Sequence, residues 1–141
     1  MCIRDRFGAS SISQLDSAYI QNIKNASQYI NSIEKNNLAV FRGYSVNKDQ
    51  KIIREIINSI MCNYYVDIKT IAKKYNLQAS ELYSLIKFKK DNLDDFIVDG
   101  ILEFKDDIIS VKESGRLFTR NIAMRFDPLI DQKVGSYSNT V

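Results

Sequence analysis

Five isoleucines between residues 52 and 60 constrain the fold of this chain more than any other feature. They stand at positions 52, 53, 56, 57 and 60, which is the spacing of one buried face of an α-helix. Asn47 precedes them as a predicted N-cap, and Asp49 lies in the first turn, where a negative charge is favourable. The sequence therefore predicts a helix from Asn47 to about Cys62, with its isoleucine face in a hydrophobic core.

The segments after this helix predict a small domain. Asp67 is expected to cap a short helix that ends near Tyr75, and a third helix is expected over residues 80–98, where a polar run from residue 87 to 92 is able to divide it. Residues 101–104 and 108–111 read as the two strands of a hairpin. Helix, short helix, helix and hairpin is the order of a winged-helix domain. We therefore expect a mainly α chain with a small β-hairpin, in which residues 47–141 form a winged-helix-like domain.

The N-terminal part predicts less regular structure. Residues 1–6 resemble the translation of a sequencing adapter, so we treat them as an artefact. The small residues of 7–17 suit either a flexible leader or the end of a barrel strand whose loop approaches a ligand. A helix over about 23–36 and an extended segment over 38–46 follow. Residues 7–46 are thus expected to form a connecting region before the domain.

The stretch from Val111 to Asp127 predicts a strand end, a turn at Ser114-Gly115 and a helix that ends at Pro128. Near-helical spacing places Leu117, Ile122 and Phe126 on a buried face. Arg116 and Arg120 fall on a neighbouring stripe, since residues four apart share a helix face. In the simplest interpretation, this is an amphipathic helix with solvated arginines.

Composition disfavours several classes of protein. The chain has no histidine, which removes Ser-His and Cys-His nucleophile pairs and the common zinc sites. Its two cysteines, Cys2 and Cys62, form neither a disulfide framework nor a metal-ligand spacing, which indicates a reducing cytoplasm. No apolar run reaches the roughly eighteen residues of a membrane span. A self-contained hydrolase or metalloenzyme is therefore not expected.

Charge argues against a nucleic-acid reader. In a DNA-binding winged helix, the third helix enters the major groove, and phosphate neutralisation supplies much of the affinity. Residues 80–98 carry three lysines against four carboxylates, and residues 101–112 carry two lysines against three carboxylates. Each segment is thus net −1 and would repel phosphate. A stand-alone winged-helix interaction or nucleic-acid-binding module remains the alternative function.

Three stretches carry a resemblance to a known family. The first runs from Phe41-Arg42-Gly43 to the helix end at Met61-Cys62-Asn63, and the second is Asp99-Gly100-Ile101. The third and most specific is Gly115-Arg116-Leu117-Phe118-Thr119-Arg120-Asn121-Ile122-Ala123-Met124-Arg125-Phe126-Asp127. Together they resemble the C-terminal part of the oxygen-independent coproporphyrinogen III oxidases (dehydrogenases), which are radical S-adenosylmethionine enzymes of haem biosynthesis.

This resemblance implies a function for a longer protein. Such enzymes bind a [4Fe–4S] cluster through a CxxxCxxC motif in an N-terminal barrel, and they use S-adenosylmethionine to decarboxylate two propionates of coproporphyrinogen III oxidatively. The likeness covers residues 7–141, the last third or so of such an enzyme, and implies that residues 7–46 are the end of the barrel and a connecting helix. It implies a fragment without the barrel, with no catalytic residue or metal ligand, inactive alone. The full enzyme would be a cytoplasmic monomer that binds neither nucleic acid nor membrane.

The resemblance and elementary chemistry together nominate four site residues. Ile12 matches a family position that lines the S-adenosylmethionine region; the alternative is an ordinary core residue. Arg42, Arg116 and Arg120 are candidates for binding propionates, because guanidinium groups pair with carboxylates in bidentate geometry. The alternative for these arginines is structural ion pairing with Asp49, Glu55 or Asp127.

Overall fold

Two units make up the part of the chain that the structure, a computed structural model, describes. The described residues are 7–128, apart from the side chain of Lys90, and the boundary between the units falls between Lys51 and Ile52. Residues 1–6, which we interpret as an artefact, lie outside the described residues. Within 7–128, no helix has the length and apolar character needed to cross a membrane.

The first unit contains a three-stranded antiparallel sheet with a helix in one connection. The strands lie in the order β1-β2-β3, and the elements are β1 (Ile12–Gln14), β2 (Ala18–Asn22), α1 (Ala26–Glu34) and β3 (Val40–Ser45). Asn25 caps α1 by accepting a hydrogen bond from the backbone N–H of Gln28 at 3.0 Å. The small-residue segment 7–17 therefore contains an edge strand of this sheet. Its three residues are too few to give a recognisable alternation.

The second unit contains the second sheet and most of the helices. Its elements are α2 (Lys48–Asn63), which begins at the end of the first unit, then β4 (Tyr65–Asp67), α3 (Ile68–Lys74), α4 (Ala79–Leu85), α5 (Asp94–Val98), β5 (Leu102–Lys105), β6 (Ile108–Val111) and α6 (Thr119–Met124). Residues 90–93 and 113–118 form 3₁₀ turns. The antiparallel sheet has the order β4-β6-β5.

The isoleucine helix is confirmed. Ile52, Ile56 and Ile60 are fully buried at the centre of the core of the second unit. The predicted cap is also present: the backbone N–H of Gln50 donates to Asn47 Oδ1 at 2.9 Å, and the Asn47 N–H donates to Gln50 Oε1 at 3.1 Å. Two donors at the start of the helix are thus satisfied reciprocally.

The predicted fold class, mainly α with one small hairpin, contains fewer β-strands than the structure has. The hairpin β5–β6 lies where the sequence predicts it, but β4 pairs with β6 and completes a sheet of three strands. The expected connection at residues 64–66 therefore contributes most of a strand. Burial of Val66 and the ladder to β6 override the weak local signal of so short a segment.

The helix expected over residues 80–98 is divided within its polar run, an outcome that the sequence left open. The chain leaves α4 at Leu85, and Lys87 has a φ of 50°, a left-handed conformation that no α-helix continues. Phe88 then turns inward and stacks on Phe126, with ring centroids 4.8 Å apart. The polar run thus contains one buried aromatic residue that divides the helix.

The hairpin turn is fixed to the helices beside it. Asp106 and Asp107 both have positive φ values, 54° and 68°, as the tightest hairpin turns require. The Asp107 carboxylate accepts a hydrogen bond from the Tyr83 hydroxyl at 2.6 Å and pairs with Lys69 Nζ at 3.1 Å. Burial, and then the bond to Asp107, raise the pKa of Tyr83. The turn is therefore an anchored part of the second unit.

Replacing Asp67 with alanine should lower the free energy of unfolding by about 1 kcal/mol at neutral pH, as loss of a helix cap does. Its carboxylate accepts from the Thr70 hydroxyl at 2.7 Å and from the Thr70 N–H at 3.0 Å. These bonds, the hydroxyl first, lower the pKa of Asp67 below its ordinary value of 3.8. A carboxyl group with a lowered folded-state pKa stabilises the fold above its unfolded pKa and loses that effect as the pH falls.

Urea unfolding at pH 7 and pH 3 measures this effect. The difference between the unsubstituted chain and Asp67→Ala should shrink toward pH 3. Asp67→Asn is the matched control, because its amide oxygen still accepts a bond from the Thr70 N–H and does not titrate. A difference that grows on acidification would contradict the assignment.

Candidate functional site

A row of three side chains crosses the sheet of the first unit. Ile12 of β1 lies opposite Gln21 of β2, and Gln21 lies opposite Arg42 of β3. Residues in register across a sheet project from the same face, so two sequence-predicted site residues share a surface about 10 Å apart, two strand spacings. The structure thus brings Ile12 and Arg42 together on one sheet.

Arg42 is held by a neutral partner. Its Nε donates to Gln21 Oε1 at 2.8 Å, and its side chain is exposed. This bond uses one of the five guanidinium donors and fixes the direction of the side chain. The two terminal nitrogens keep the geometry for a bidentate contact with a carboxylate.

Ile12 lies on the open side of its strand. Its side chain is 48% exposed, whereas the preceding Ser11 is buried. Asn22 fixes this turn, since its Nδ2 donates to Ser11 Oγ at 2.8 Å and to the Gly8 carbonyl at 3.1 Å. Ile12 therefore adds apolar surface to the face that carries Arg42, with Gln21 between them, and is not a core residue of the described unit.

The second candidate surface is the exposed side of α6 in the second unit. Thr119, Ile122, Ala123 and Phe126 are buried, and the intervening positions face outward. We define the α6 outer face as Leu117, Arg120, Asn121 and Met124, all of which are exposed. Arg120 thus lies on an exposed surface that also carries the apolar side chains of Leu117 and Met124.

The predicted burial of Leu117 is wrong. Its side chain is 92% exposed. Residues 113–118 form a 3₁₀ turn with three residues per turn, so helical periodicity extended backwards from Ile122 and Phe126 assigns the wrong face. Gly115, and not Leu117, makes the inward contact of this turn.

Arg116 and Arg120 lie in different environments. Arg116 Nη1 is 3.5 Å from Glu113 Oε1, and its guanidinium carbon lies 5.0 Å from the centroid of the Tyr64 ring. Among residues 7–128, Arg120 forms no ion pair or side-chain hydrogen bond. Arg120 is therefore the better placed of the two to receive an external carboxylate.

Glu55, one of the acids suggested from sequence as a partner of the candidate arginines, is engaged by other residues. Glu55 pairs with Lys74 Nζ at 2.7 Å and accepts from the Tyr75 hydroxyl at 2.7 Å. Arg125, which sequence reasoning did not single out, pairs with Asp95 at 3.0 Å and covers the Phe96 ring. Arg125 thus forms a structural ion pair of the kind that the alternative interpretation proposed for the candidate arginines.

The described residues do not assemble a metal site. Within 7–128, no three carboxylate or cysteine side chains are arranged to hold a metal ion. Each of the two candidate surfaces instead presents an arginine guanidinium group together with apolar side chains. Such surfaces suit the binding of an organic carboxylate.

Comparison with known proteins gives consistent matches. The family model of the HemN C-terminal domain matches residues 46–118. The oxygen-independent coproporphyrinogen III oxidase of Escherichia coli K12 is 33% identical over 131 residues, which is 89% of this chain and 27% of that protein. The proteins of the same name from Synechocystis and Thermostichus vulcanus are 30% and 33% identical, covering 90% and 92% of this chain and 28% and 39% of theirs.

A solved structure is also similar. It is described as coproporphyrinogen III oxidase (HemN) from Escherichia coli, a radical SAM enzyme, and it superposes with a TM-score of 0.72 at 30% identity. The match covers 88% of this chain and 28% of that structure. The chain thus spans between about a quarter and two fifths of the length of the relatives that it matches.

Proposed function

Because the chain belongs to the HemN C-terminal domain family, we propose that it acts as the C-terminal part of an oxygen-independent coproporphyrinogen III oxidase. The observation that carries this proposal is the match to the Escherichia coli structure, which extends over 88% of the chain at 30% identity. The likeness thus includes segments on both sides of the family-model match at 46–118.

The proposed reaction is the oxidative decarboxylation of two propionates of coproporphyrinogen III, which gives protoporphyrinogen IX. Radical chemistry from S-adenosylmethionine and a [4Fe–4S] cluster would be supplied when these groups are bound. The residues of this chain do not fit the cluster, because it needs three or four thiolates and the sequence has two cysteines. We assign the cluster to another part of the enzyme and expect no turnover from this chain alone.

The same proposal assigns a separate role to each of the two parts of the chain. Residues 7–46 would form the end of the barrel and its connection, and residues 47–141 the C-terminal domain. The boundary between the two units, after Lys51, supports this division. A winged-helix description of the second domain is supported by its order of helix, strand, helix, helix and hairpin and by the sheet order β4-β6-β5.

The alternative, a stand-alone winged-helix interaction or nucleic-acid-binding module, has no support from the relatives. The exposed carboxylates of Asp91 and Asp94 on the expected groove-facing segment would repel phosphate. We propose instead a cytoplasmic, monomeric enzyme that binds neither nucleic acid nor a membrane.

The contacts of the three candidate arginines support ranking them as proposed propionate ligands. Arg120 comes first, because within 7–128 it forms no ion pair. Arg42 comes second, since its bond to Gln21 directs it without neutralising it. Arg116 comes last, because Glu113 and the Tyr64 ring already engage it. Ile12 would contribute apolar contact near S-adenosylmethionine.

A chimera tests the proposed function. Residues 7–141 should restore activity when they replace the matched C-terminal segment of the Escherichia coli enzyme, measured anaerobically as conversion of coproporphyrinogen III in the presence of S-adenosylmethionine. The same host without any C-terminal segment is the negative control. A second control replaces one cluster cysteine of the host and should abolish turnover. A folded, cluster-loaded chimera without activity would contradict the proposal.

A further inference from the structure

Asn22 of β2 holds the turn formed by residues 8–11, which precedes β1. Its Nδ2 donates to the Gly8 carbonyl at 3.1 Å and to Ser11 Oγ at 2.8 Å. Its backbone N–H donates to the Ser11 carbonyl at 2.9 Å. A single residue on the neighbouring strand therefore binds both ends of the turn, across 14 and 11 positions of the sequence.

The turn 8–11 has a backbone conformation that needs such support. Gly8 and Ser10 have positive φ values of 98° and 61°, and the second is uncommon for a residue with a side chain. Ser11 is only 7% exposed, whereas the next residue, Ile12, is 48% exposed. The bonds from Asn22 offset the cost of this conformation and hold Ser11 inward, so that Ile12 is directed outward.

An irregularity in the strand register coincides with this contact. The pairing of β2 with β3 is regular as far as Gln21, which lies opposite Arg42, but Asn22 then lies opposite Val40, so that Phe41 is skipped. One extra residue on a strand is a β-bulge, which bends the strand and is frequent beside functional sites. The bulge thus falls at the residue whose side chain binds the turn.

We propose that Asn22 is a positioning residue that sets Ile12 for contact with S-adenosylmethionine. This inference rests on the proposed function, in which Ile12 contacts that cofactor, and adds a residue to it. Asn22 does not touch the cofactor; it keeps the turn 8–11 in one conformation before the cofactor binds. The segment fits this role, because the exposed Ile12 offers an apolar contact and a Cβ built on Gly8 would meet no atom within 4 Å.

The two side-chain bonds of Asn22 set the size of the expected effect. The apparent Kd of a ligand rises as the conformation that binds it becomes less populated. A single hydrogen bond changes such an equilibrium by about two- to tenfold. Loss of both bonds should therefore raise the Kd for S-adenosylmethionine about tenfold, and loss of one bond about threefold.

Binding of S-adenosylmethionine to the anaerobic, cluster-loaded chimera tests this proposal. Equilibrium dialysis against radiolabelled S-adenosylmethionine measures Kd without turnover. Asn22→Ala should raise Kd about tenfold, and Ser11→Ala, which keeps the bond to the Gly8 carbonyl, about threefold. The double variant should match Asn22→Ala, because residues that act through one bond are not additive. At saturating S-adenosylmethionine, kcat should stay within about twofold, since Asn22 does not touch the reacting atoms.

Asn25→Ala is the matched control. Asn25 is exposed and caps α1 by accepting from the Gln28 N–H. Its replacement should lower the urea midpoint through loss of the cap, but it should leave Kd within about twofold. Comparison of the urea midpoints and Kd values of Asn25→Ala and Asn22→Ala separates general destabilisation from positioning. Iron and sulfide contents should be equal in all variants, so that cluster loading does not account for a difference in Kd.

Three results would overturn the role of Asn22. These are an unchanged Kd in Asn22→Ala, an equal rise in Asn25→Ala, or no binding by the unsubstituted, loaded chimera. Where Asn22→Ala does not fold or load its cluster, an unchanged Kd in the milder Ser11→Ala variant rejects the proposal and a threefold rise supports it.

The same measurements distinguish this inference from the proposed function. An active chimera in which Asn22→Ala binds normally would retain the function and reject only the positioning role. A chimera that shows the expected differences in Kd but does not convert coproporphyrinogen III would retain the role of Asn22 and reject the proposed function.

Discussion

Replacing Gly115 with alanine should lower the free energy of unfolding of the second unit by about 3 kcal/mol, the upper range for overpacking a tight site. A Cβ at this position would overlap the carbonyl oxygen of Ile101 and lie 3.0 Å from the Ile101 Cβ. The carbonyl is not free to retreat, because it accepts a hydrogen bond from the Lys112 N–H at 2.9 Å. Gly115 is itself tied to this loop, since its N–H donates to the Lys112 carbonyl at 2.9 Å.

Urea unfolding followed by circular dichroism measures this loss, and two other glycines serve as controls. Gly43→Ala should have almost no effect, because its nearest contact, the Tyr19 carbonyl, would lie at an ordinary 3.6 Å. Gly100→Ala meets no atom within 4 Å but has a φ of +69°, so it should cost about 1–2 kcal/mol from backbone strain alone. A Gly115→Ala variant as stable as Gly43→Ala would show that the turn is not packed against Ile101.

Gly115 also determines the shape of the 3₁₀ turn that contains it. The absence of a side chain lets the 3₁₀ turn 113–118 approach the start of β5. That approach turns Leu117 outward and sets the direction in which α6 begins. The glycine of the family-like motif therefore has a structural reason that is independent of any contact with substrate.

The elements with repeated, local signals were predictable from sequence. The isoleucine helix has five apolar positions and an N-cap, and the cap at Asp67 and the hairpin at 102–111 have equally local causes. Each of these signals comes from side chains that interact within their own segment of the chain. Such interactions do not depend on the rest of the fold, so they are visible in the sequence.

The features that the sequence left open or missed depend on distant partners. Phe88 breaks the third helix because the Phe104 and Phe126 rings receive it, and these residues are separated from it by 16 and 38 positions. β4 exists because β6 pairs with it, more than forty residues later. The three-residue strands β1 and β4 carry too little alternation to be recognised from the sequence alone.

The candidate arginines show the same limit. Residue type and the family resemblance pointed to Arg42, Arg116 and Arg120. Which of these arginines forms an ion pair within the chain depends on neighbours whose positions the sequence does not show. Arg116 has its acid three residues away, within reach of the 3₁₀ turn. Arg125 has its acid on α5, thirty residues earlier. Only the folded chain separates Arg120 from these two.

Phe126→Ala is expected to be the most destabilising single substitution in this region, at about 3–5 kcal/mol. The Phe126 side chain is fully buried, and its ring lies nearly parallel to that of Phe88, 4.8 Å away between centroids. Phe88 in turn contacts Tyr83 and Phe104, so removal of one ring leaves a cavity at the centre of an aromatic cluster. The surrounding strands and helices are not able to close such a cavity without losing their own contacts.

Phe118→Ala is the matched control, because it removes the same side chain from the same segment at a position that is 47% exposed. It should cost about 1 kcal/mol or less, since little apolar surface leaves the core. Chemical unfolding gives both values. Equal losses of stability in the two variants would contradict the inner and outer sides assigned to α6.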